Sequence, residues 1–223
     1  MFRQPTGADG KLALHDTQFE YAHAYLGRTR RMLFLRGPVV GAPYRNDLFG
    51  PTQIGDDILA MSTAEPLVPI YLFIDSAGGD VSTGLVLYDI IKTSRAQVIT
   101  VGMNAASMAT VLLAAGSKRL IFSHARLMLH LPQGQFQGDV EDVKIRTKLF
   151  SSMTEELVSC YIDSGATAGL VNKSDKEIRK QILKDINREF WLTAPEAIAY
   201  GLVDQIVTTT DLYTCDKLWE KAV

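Results

Sequence analysis

Three kinds of residue in this chain could act together on a carbonyl carbon. Ser107 stands in Gly102-Met103-Asn104-Ala105-Ala106-Ser107-Met108-Ala109, between a β-branched apolar run and a run of small aliphatic residues. A hydroxyl there is presented on a sharp strand-to-helix turn. Orphan backbone N–H groups and the positive end of a helix lie beside it, which is the geometry acyl transfer needs. The plainer reading of Ser107 is an N-cap. His130 closes Arg126-Leu127-Met128-Leu129-His130, just before Leu131-Pro132. It therefore sits at a strand's rim, where an imidazole can serve as general base, although an ordinary half-buried histidine reads the same way. A base histidine needs a carboxylate to orient it, and both Asp185 and Glu189 stand in the segment before Trp191. Either also reads as solvated surface charge. Upstream, Ser76-Ala77-Gly78-Gly79-Asp80 is a turn whose paired glycines let backbone N–H groups approach a ligand. Its alternatives are a tight turn with no ligand and a phosphate loop, and the latter lacks its Lys-Ser/Thr ending.

These residues need elements to hold them. Val98-Ile99-Thr100-Val101 and Pro69 to Asp75 are continuous apolar runs of the kind buried on both sheet faces. Val81 to Thr93 has helical spacing, with Val81, Leu85, Tyr88 and Ile91 on one face, and a further helix begins near Ser107 and stops by Gly116. Strand, helix, strand, helix in that order predicts an α/β fold with parallel strands and right-handed crossovers. Met32–Leu35, Arg119–Phe122 and Arg126–His130 are further strands, and Asp47–Met61 a helix with Pro51 near its first turn. A helix is also expected from Phe19 to Arg31. Pro132 to Gly138 reads as an extended Gly- and Gln-rich piece. The longest helix, Asp139 to Asp163, carries a stripe of Val143, Phe150, Leu157 and Tyr161, widened by Ile145, Leu149 and Met153. That is more apolar surface than a lone helix needs, and it points to a partner subunit. Ser174-x-x-Glu177 is a capping box opening a helix to about Asp185. Thr193-Ala194-Pro195-Glu196 opens a short one that Gly201 closes, and Leu202–Val207 ends the core.

The bulk numbers narrow the function classes. With 223 residues, 47% apolar and 22% charged, the chain has the make-up of an ordinary globular α/β protein. A net charge of −2 gives no strong attraction to nucleic acid or an anionic membrane. Cys160 and Cys215 are far apart and form no metal-ligand spacing, and free thiols fit a reducing compartment. No run reaches membrane-spanning length and the N-terminus has no apolar signal core, so the expected location is cytoplasmic.

Several motifs, in order, resemble the proteolytic subunit of the Clp protease, a serine peptidase of stacked heptameric rings. They are Ile70-Tyr71-Leu72-Phe73-Ile74-Asp75-Ser76-Ala77-Gly78-Gly79, Ala105-Ala106-Ser107-Met108, Met128-Leu129-His130-Leu131-Pro132, Gly134-Gln135-Phe136-Gln137-Gly138, and Ala194-Pro195-Glu196-Ala197 with Tyr200-Gly201-Leu202-Val203-Asp204. The resemblance spans about residues 32–207. It implies the ClpP/crotonase-like α/β fold of stacked ββα units with a protruding strand–helix handle at about 133–165. A single domain is expected at 21–210, with a flexible segment at 1–20, where periodicity is lacking, and a tail at 211–223. It implies Ser107 as nucleophile, His130 as base, Glu189 as the acid, and the backbone N–H groups of Gly79 and Met108 as oxyanion donors. A peptide would lie as an added strand along Gly78, Gly79, Leu131 and Pro132. The implied partners are polypeptide substrates, a Clp-type ATPase unfoldase, and copies or paralogues in heptameric rings stacked in pairs. No cofactor, metal, nucleic acid or membrane is implied.

The chain departs from the family pattern in places. Glu189 replaces an aspartate, Ala77 a proline and Ala109 a glycine. The stretch from Gly79 to Ser107 is one residue short, and 165–173 is longer than usual. These departures motivate a second reading, a weakly active or structural paralogue in a mixed ring. A third is an acyl-CoA enzyme of crotonase type.

Overall fold

The computed structural model describes residues 27–41, 49–170 and 172–208. The expected segments 1–20 and 211–223, most of the expected 19–31 helix, and Cys215 lie outside the described residues. The elements in chain order are β1 (Met32–Arg36), α1 (Pro51–Ala64), β2 (Ile70–Ser76), α2 (Val81–Thr93), β3 (Val98–Ala106), α3 (Met108–Ala114), β4 (Lys118–Ile121), β5 (Arg126–Leu129), α4 (Val140–Asp163), α5 (Asp175–Asp185), β6 (Phe190–Thr193), α6 (Ala194–Tyr200) and β7 (Gln205–Ile206).

The fold is α/β, as the sequence pattern requires. The strands run β1-β2-β3-β4-β7 in parallel, and β5 branches from β3 and pairs antiparallel with β6. One sheet face packs on helices: Leu33, Leu35, Ile70, Leu72, Ile74 and Val98 join Ile54, Ile58, Leu87, Leu112 and Leu113 in the main core. A second apolar cluster, Tyr71, Phe73, Ile99, Val101 and Leu120, lies apart from it. Strand residues alternate between the two clusters, as a period of two dictates.

Two strands differ from expectation. β3 runs to Ala106, well beyond the apolar run Val98–Val101. Ile74 pairs with Gly102 but Asp75 pairs with Asn104, so Met103 is an extra residue in the ladder. This bulge lets the strand resume beside β2 and β5, and tertiary pairing outweighs the poor strand propensity of Asn104-Ala105-Ala106. The strand β6 has no counterpart in the sequence reading. Its Phe190, Trp191, Leu192 and Thr193 pair with Leu129, Met128, Leu127 and Arg126.

The helix ends follow the sequence closely. Pro51 lies in the first turn of α1, Ser174 and Glu177 form the capping box of α5, and Gly201 closes α6 in a left-handed conformation (φ 82°). The α4 stripe is only partly used. Leu157, Val158, Cys160 and Tyr161 are buried, whereas Val140, Ile145 and Leu149 are 70%, 66% and 52% exposed. The 132–138 segment forms no strand. An extended backbone needs a neighbouring strand for its hydrogen bonds, and its neighbour here is α4, where Phe136 meets Phe150 edge-on at 4.6 Å.

Candidate active site

The turn between β3 and α3 is strained. Ser107 adopts φ 55° and ψ −126°, a region that costs a non-glycine residue about 1–3 kcal/mol. Its side chain makes no capping hydrogen bond, so the N-cap reading of the hydroxyl does not hold. The backbone is instead held from both sides. The Ser107 N–H donates to the Met128 carbonyl at 2.7 Å, continuing the β3–β5 ladder. The Ser107 carbonyl accepts from the Thr110 N–H at 3.0 Å and from Thr110 Oγ1 at 2.6 Å. Every residue of α3 is buried, so the helix cannot shift without opening the core.

Because β5 lies beside the end of β3, His130, one residue past β5, comes to the Ser107 turn. His130 Nε2 stands 2.8 Å from Ser107 Oγ. The two residues are 23 apart in the chain and meet only through the β3–β5 pairing. His130 Nδ1 is buried and has no hydrogen-bond partner among the described residues.

The Gly-Gly turn packs directly on this pair. Gly78 has φ 86°, and a Cβ there would stand 2.5 Å from the Ala106 carbonyl oxygen and 2.8 Å from the Met108 nitrogen. Only glycine permits that approach. Ser76 shapes the turn: its Oγ donates to the Gly37 carbonyl at 2.6 Å and accepts from the Gly78 N–H at 3.1 Å. Val39 pairs with Gly79 as a parallel bridge, its N–H donating to the Gly78 carbonyl and its carbonyl accepting from the Asp80 N–H. In such a bridge the N–H and C=O of Gly79 point to the opposite edge. Asp80 then caps α2, its carboxylate accepting from the Thr83 N–H at 2.7 Å.

The acid candidates are elsewhere engaged. Asp185 accepts from Gln181 at 2.7 Å and from the Tyr200 hydroxyl at 3.0 Å. Glu189 is exposed, and its carboxylate accepts from Trp191 Nε1 at 3.0 Å. The cause is a break in the β5–β6 ladder. Leu129 pairs with Phe190, yet the Leu131 N–H donates to the Ile186 carbonyl, so residues 187–189 loop out between the two contacts. Of the expected site residues, the structure thus brings together Ser107, His130, Gly78 and Met108, and leaves Glu189 outside. Pro132 lines the cleft and Leu131 precedes it, but the Leu131 N–H is used by the Ile186 carbonyl and proline has none. They can meet a peptide strand only through carbonyls and side chains.

Val81, Met108, Leu157 and Ile186 give the cleft around Ser107 and His130 an apolar lining. Three contributors were missed in the sequence: Val39 as the partner of Gly79, Trp191 as the partner of Glu189, and the Thr110–Tyr161 contact behind the turn. Thr110 had a visible signal, as the one hydroxyl in the otherwise apolar helix Met108-Ala109-Thr110-Val111-Leu112-Leu113-Ala114.

A parallel α/β sheet with a serine on a strained strand–helix turn and a histidine within hydrogen-bond reach defines a hydrolase-like site. Comparison with known proteins makes this more specific. The family model for Clp protease matches residues 49–210. The ATP-dependent Clp protease proteolytic subunit 2 of Corynebacterium efficiens is 32% identical over 200 residues, covering 80% of this chain and 96% of that protein. The subunit 2 of Tropheryma whipplei is 37% identical over 159 residues, covering 70% and 83%. The proteolytic subunit of Porphyromonas gingivalis is 35% identical over 172 residues, covering 72% of each. The chain belongs to the Clp protease family, a family of peptidases.

Proposed function

We propose that this chain is a serine-type endopeptidase subunit of a self-compartmentalised, ATP-dependent protease. The observation that carries this reading is the 2.8 Å approach of His130 Nε2 to Ser107 Oγ on a backbone strained into φ 55°. Ser107 Oγ attacks the scissile carbonyl carbon while His130 Nε2 takes its proton. The oxygen that gains charge is met by the N–H groups of Met108, at the start of α3, and Gly79, on the free edge of its bridge. The protonated imidazole then gives its proton to the leaving amine, and the acyl group stays on Ser107. A water, deprotonated by His130, releases the acid product. Glu189 is the acid of this set, the residue that an unbroken β5–β6 register would set across from His130, although the ladder as it stands ends at Leu129 and Phe190. It reaches Nδ1 once its carboxylate leaves Trp191.

The substrate is unfolded polypeptide, paired along Gly79 and fed by a Clp-type ATPase in the cytoplasm. The exposed Val140, Ile145 and Leu149 of α4 support assembly into paired heptameric rings, of one chain or two. A second reading, a weakly active structural paralogue in a mixed ring, is favoured by one observation, the engagement of Glu189 with Trp191. Family membership leaves no support for the acyl-CoA reading.

The test is hydrolysis of a fluorogenic peptide and of an unfolded protein by the purified assembly, with Ser107→Ala alongside. Turnover that disappears in Ser107→Ala supports the peptidase. Turnover that survives the substitution overturns it, and no turnover in intact rings favours the structural paralogue.

A further inference from the structure

Tyr161 lies on α4, is buried, and places its hydroxyl 2.6 Å from Thr110 Oγ1. Thr110 Oγ1 has one proton, and that proton is directed to the Ser107 carbonyl at 2.6 Å. The Tyr161 hydroxyl must therefore be the donor to Thr110. The result is a directed relay: Tyr161 O–H to Thr110 Oγ1, Thr110 O–H to the Ser107 carbonyl. Burial holds the Tyr161 phenol well above its usual pKa, so it remains a donor at any working pH.

The end point of this relay matters. The Ser107 carbonyl and the Met108 N–H belong to one peptide unit. A carbonyl that accepts two hydrogen bonds, one of them short at 2.6 Å, draws electron density through the amide and makes its N–H a stronger donor, and a chain of such bonds in an apolar setting reinforces the effect. The same bonds fix the plane of that peptide, and so the direction of the N–H, against the strain at Ser107.

We propose that Thr110 and Tyr161 are positioning residues that set the aim and donor strength of the Met108 N–H, and thereby the oxyanion site. This rests on the peptidase reading above for its catalytic consequence, but not for its effect on Met108 itself. Thr110 acts from behind the turn, and Tyr161, whose ring borders the cleft, commits its hydroxyl to Thr110.

The experiment uses the full-length assembly with Tyr161→Phe, Thr110→Val and Thr110→Ser. Two measurements are made on each. The first is the Met108 amide resonance in protein labelled with ¹⁵N-methionine. The second is kcat and KM for a fluorogenic peptide, with the affinity of a peptide boronate that loads the oxyanion site. Tyr161→Phe and Thr110→Val should move the Met108 amide proton upfield and lower kcat by about tenfold, less than the about 10²–10³ lost when an oxyanion donor is deleted outright. KM should stay unchanged and boronate affinity should fall with kcat. Thr110→Ser, which retains the hydroxyl, should restore both. An unmoved Met108 resonance in the folded Tyr161→Phe and Thr110→Val proteins overturns the proposal. So does a loss of kcat that Thr110→Ser does not rescue. A Met108 resonance that shifts in both variants, beside a wild-type protein that neither turns over peptide nor binds boronate, upholds the relay and sinks the peptidase reading instead.

Discussion

Glu189, just before β6, lies two residues from Trp191 within that strand, and the indole Nε1 donates to the Glu189 carboxylate at 3.0 Å. That bond holds the carboxylate in solvent while His130 Nδ1 stays buried among the described residues without a partner. The two facts belong together. The loop at 187–189 gives Glu189 the freedom to turn outward, and Trp191, 55% exposed, gives it something to turn toward.

Trp191→Phe removes the N–H and keeps most of the ring. Releasing one hydrogen bond of about 1 kcal/mol should raise kcat by about fivefold. Glu189→Gln in the Trp191→Phe background should remove that gain. Steady-state kinetics on a short peptide checks both. An unchanged kcat in Trp191→Phe would separate Glu189 from the work of His130.

Gly78→Ala should inactivate the protein and destabilise it. The new methyl would stand 2.5 Å from the Ala106 carbonyl oxygen at a φ of 86°, so either the Gly-Gly turn or the Ser107 turn must move. A loss of about 1–3 kcal/mol is expected for forcing a side chain into that conformation. Denaturant melts give the stability and peptide turnover the activity. Full activity in Gly78→Ala would mean that the two turns are not in contact.

Much of this was legible in the sequence, for reasons that can be stated. Ser174, Glu177, Pro51 and Gly201 act locally, through caps and a left-handed turn, and local rules find them. Ser107 and His130 stand at element boundaries that hydrophobic patterning marks. What escaped depends on contacts distant in the chain. The Met103 bulge exists because β3 has to pair with both β2 and β5. The strand β6 is four residues long and identifiable only by its partner β5. Glu189 is at the predicted position in the chain, but the departure of the ladder at Ile186 decides where its carboxylate goes.

Cys160 is buried on α4, and loss of solvation pushes its thiol up to about 11. The thiolate is the reactive form. Iodoacetamide at pH 8 should therefore leave Cys160 unmodified in the native protein and modify it in denaturant, as read by mass spectrometry. Rapid native labelling would contradict the packing of α4 against the core.

Asp204 joins β4 to the turn after α6. Burial raises its pKa, but the hydrogen bonds from the Arg119 side chain and N–H outweigh this and hold it below the usual carboxylate value. A carboxylate depressed on folding adds stability above its unfolded pKa of about 3.9, and that stability is lost as pH falls through the lower folded value. Asp204→Asn should therefore lower Tm at pH 7, and the gap to wild type should narrow on acidification below about pH 4. A gap that is constant with pH would mean that the Arg119–Asp204 pair contributes nothing by its charge.

The central claim is that Ser107 is an activated nucleophile. The most direct measurement is labelling of the assembled protein by a fluorophosphonate probe, with Ser107→Ala as control and mass spectrometry to locate the adduct. The account predicts a covalent adduct on Ser107, absent in Ser107→Ala, with both proteins forming particles of the same size. An intact assembly that the probe leaves unmodified at Ser107 would contradict it.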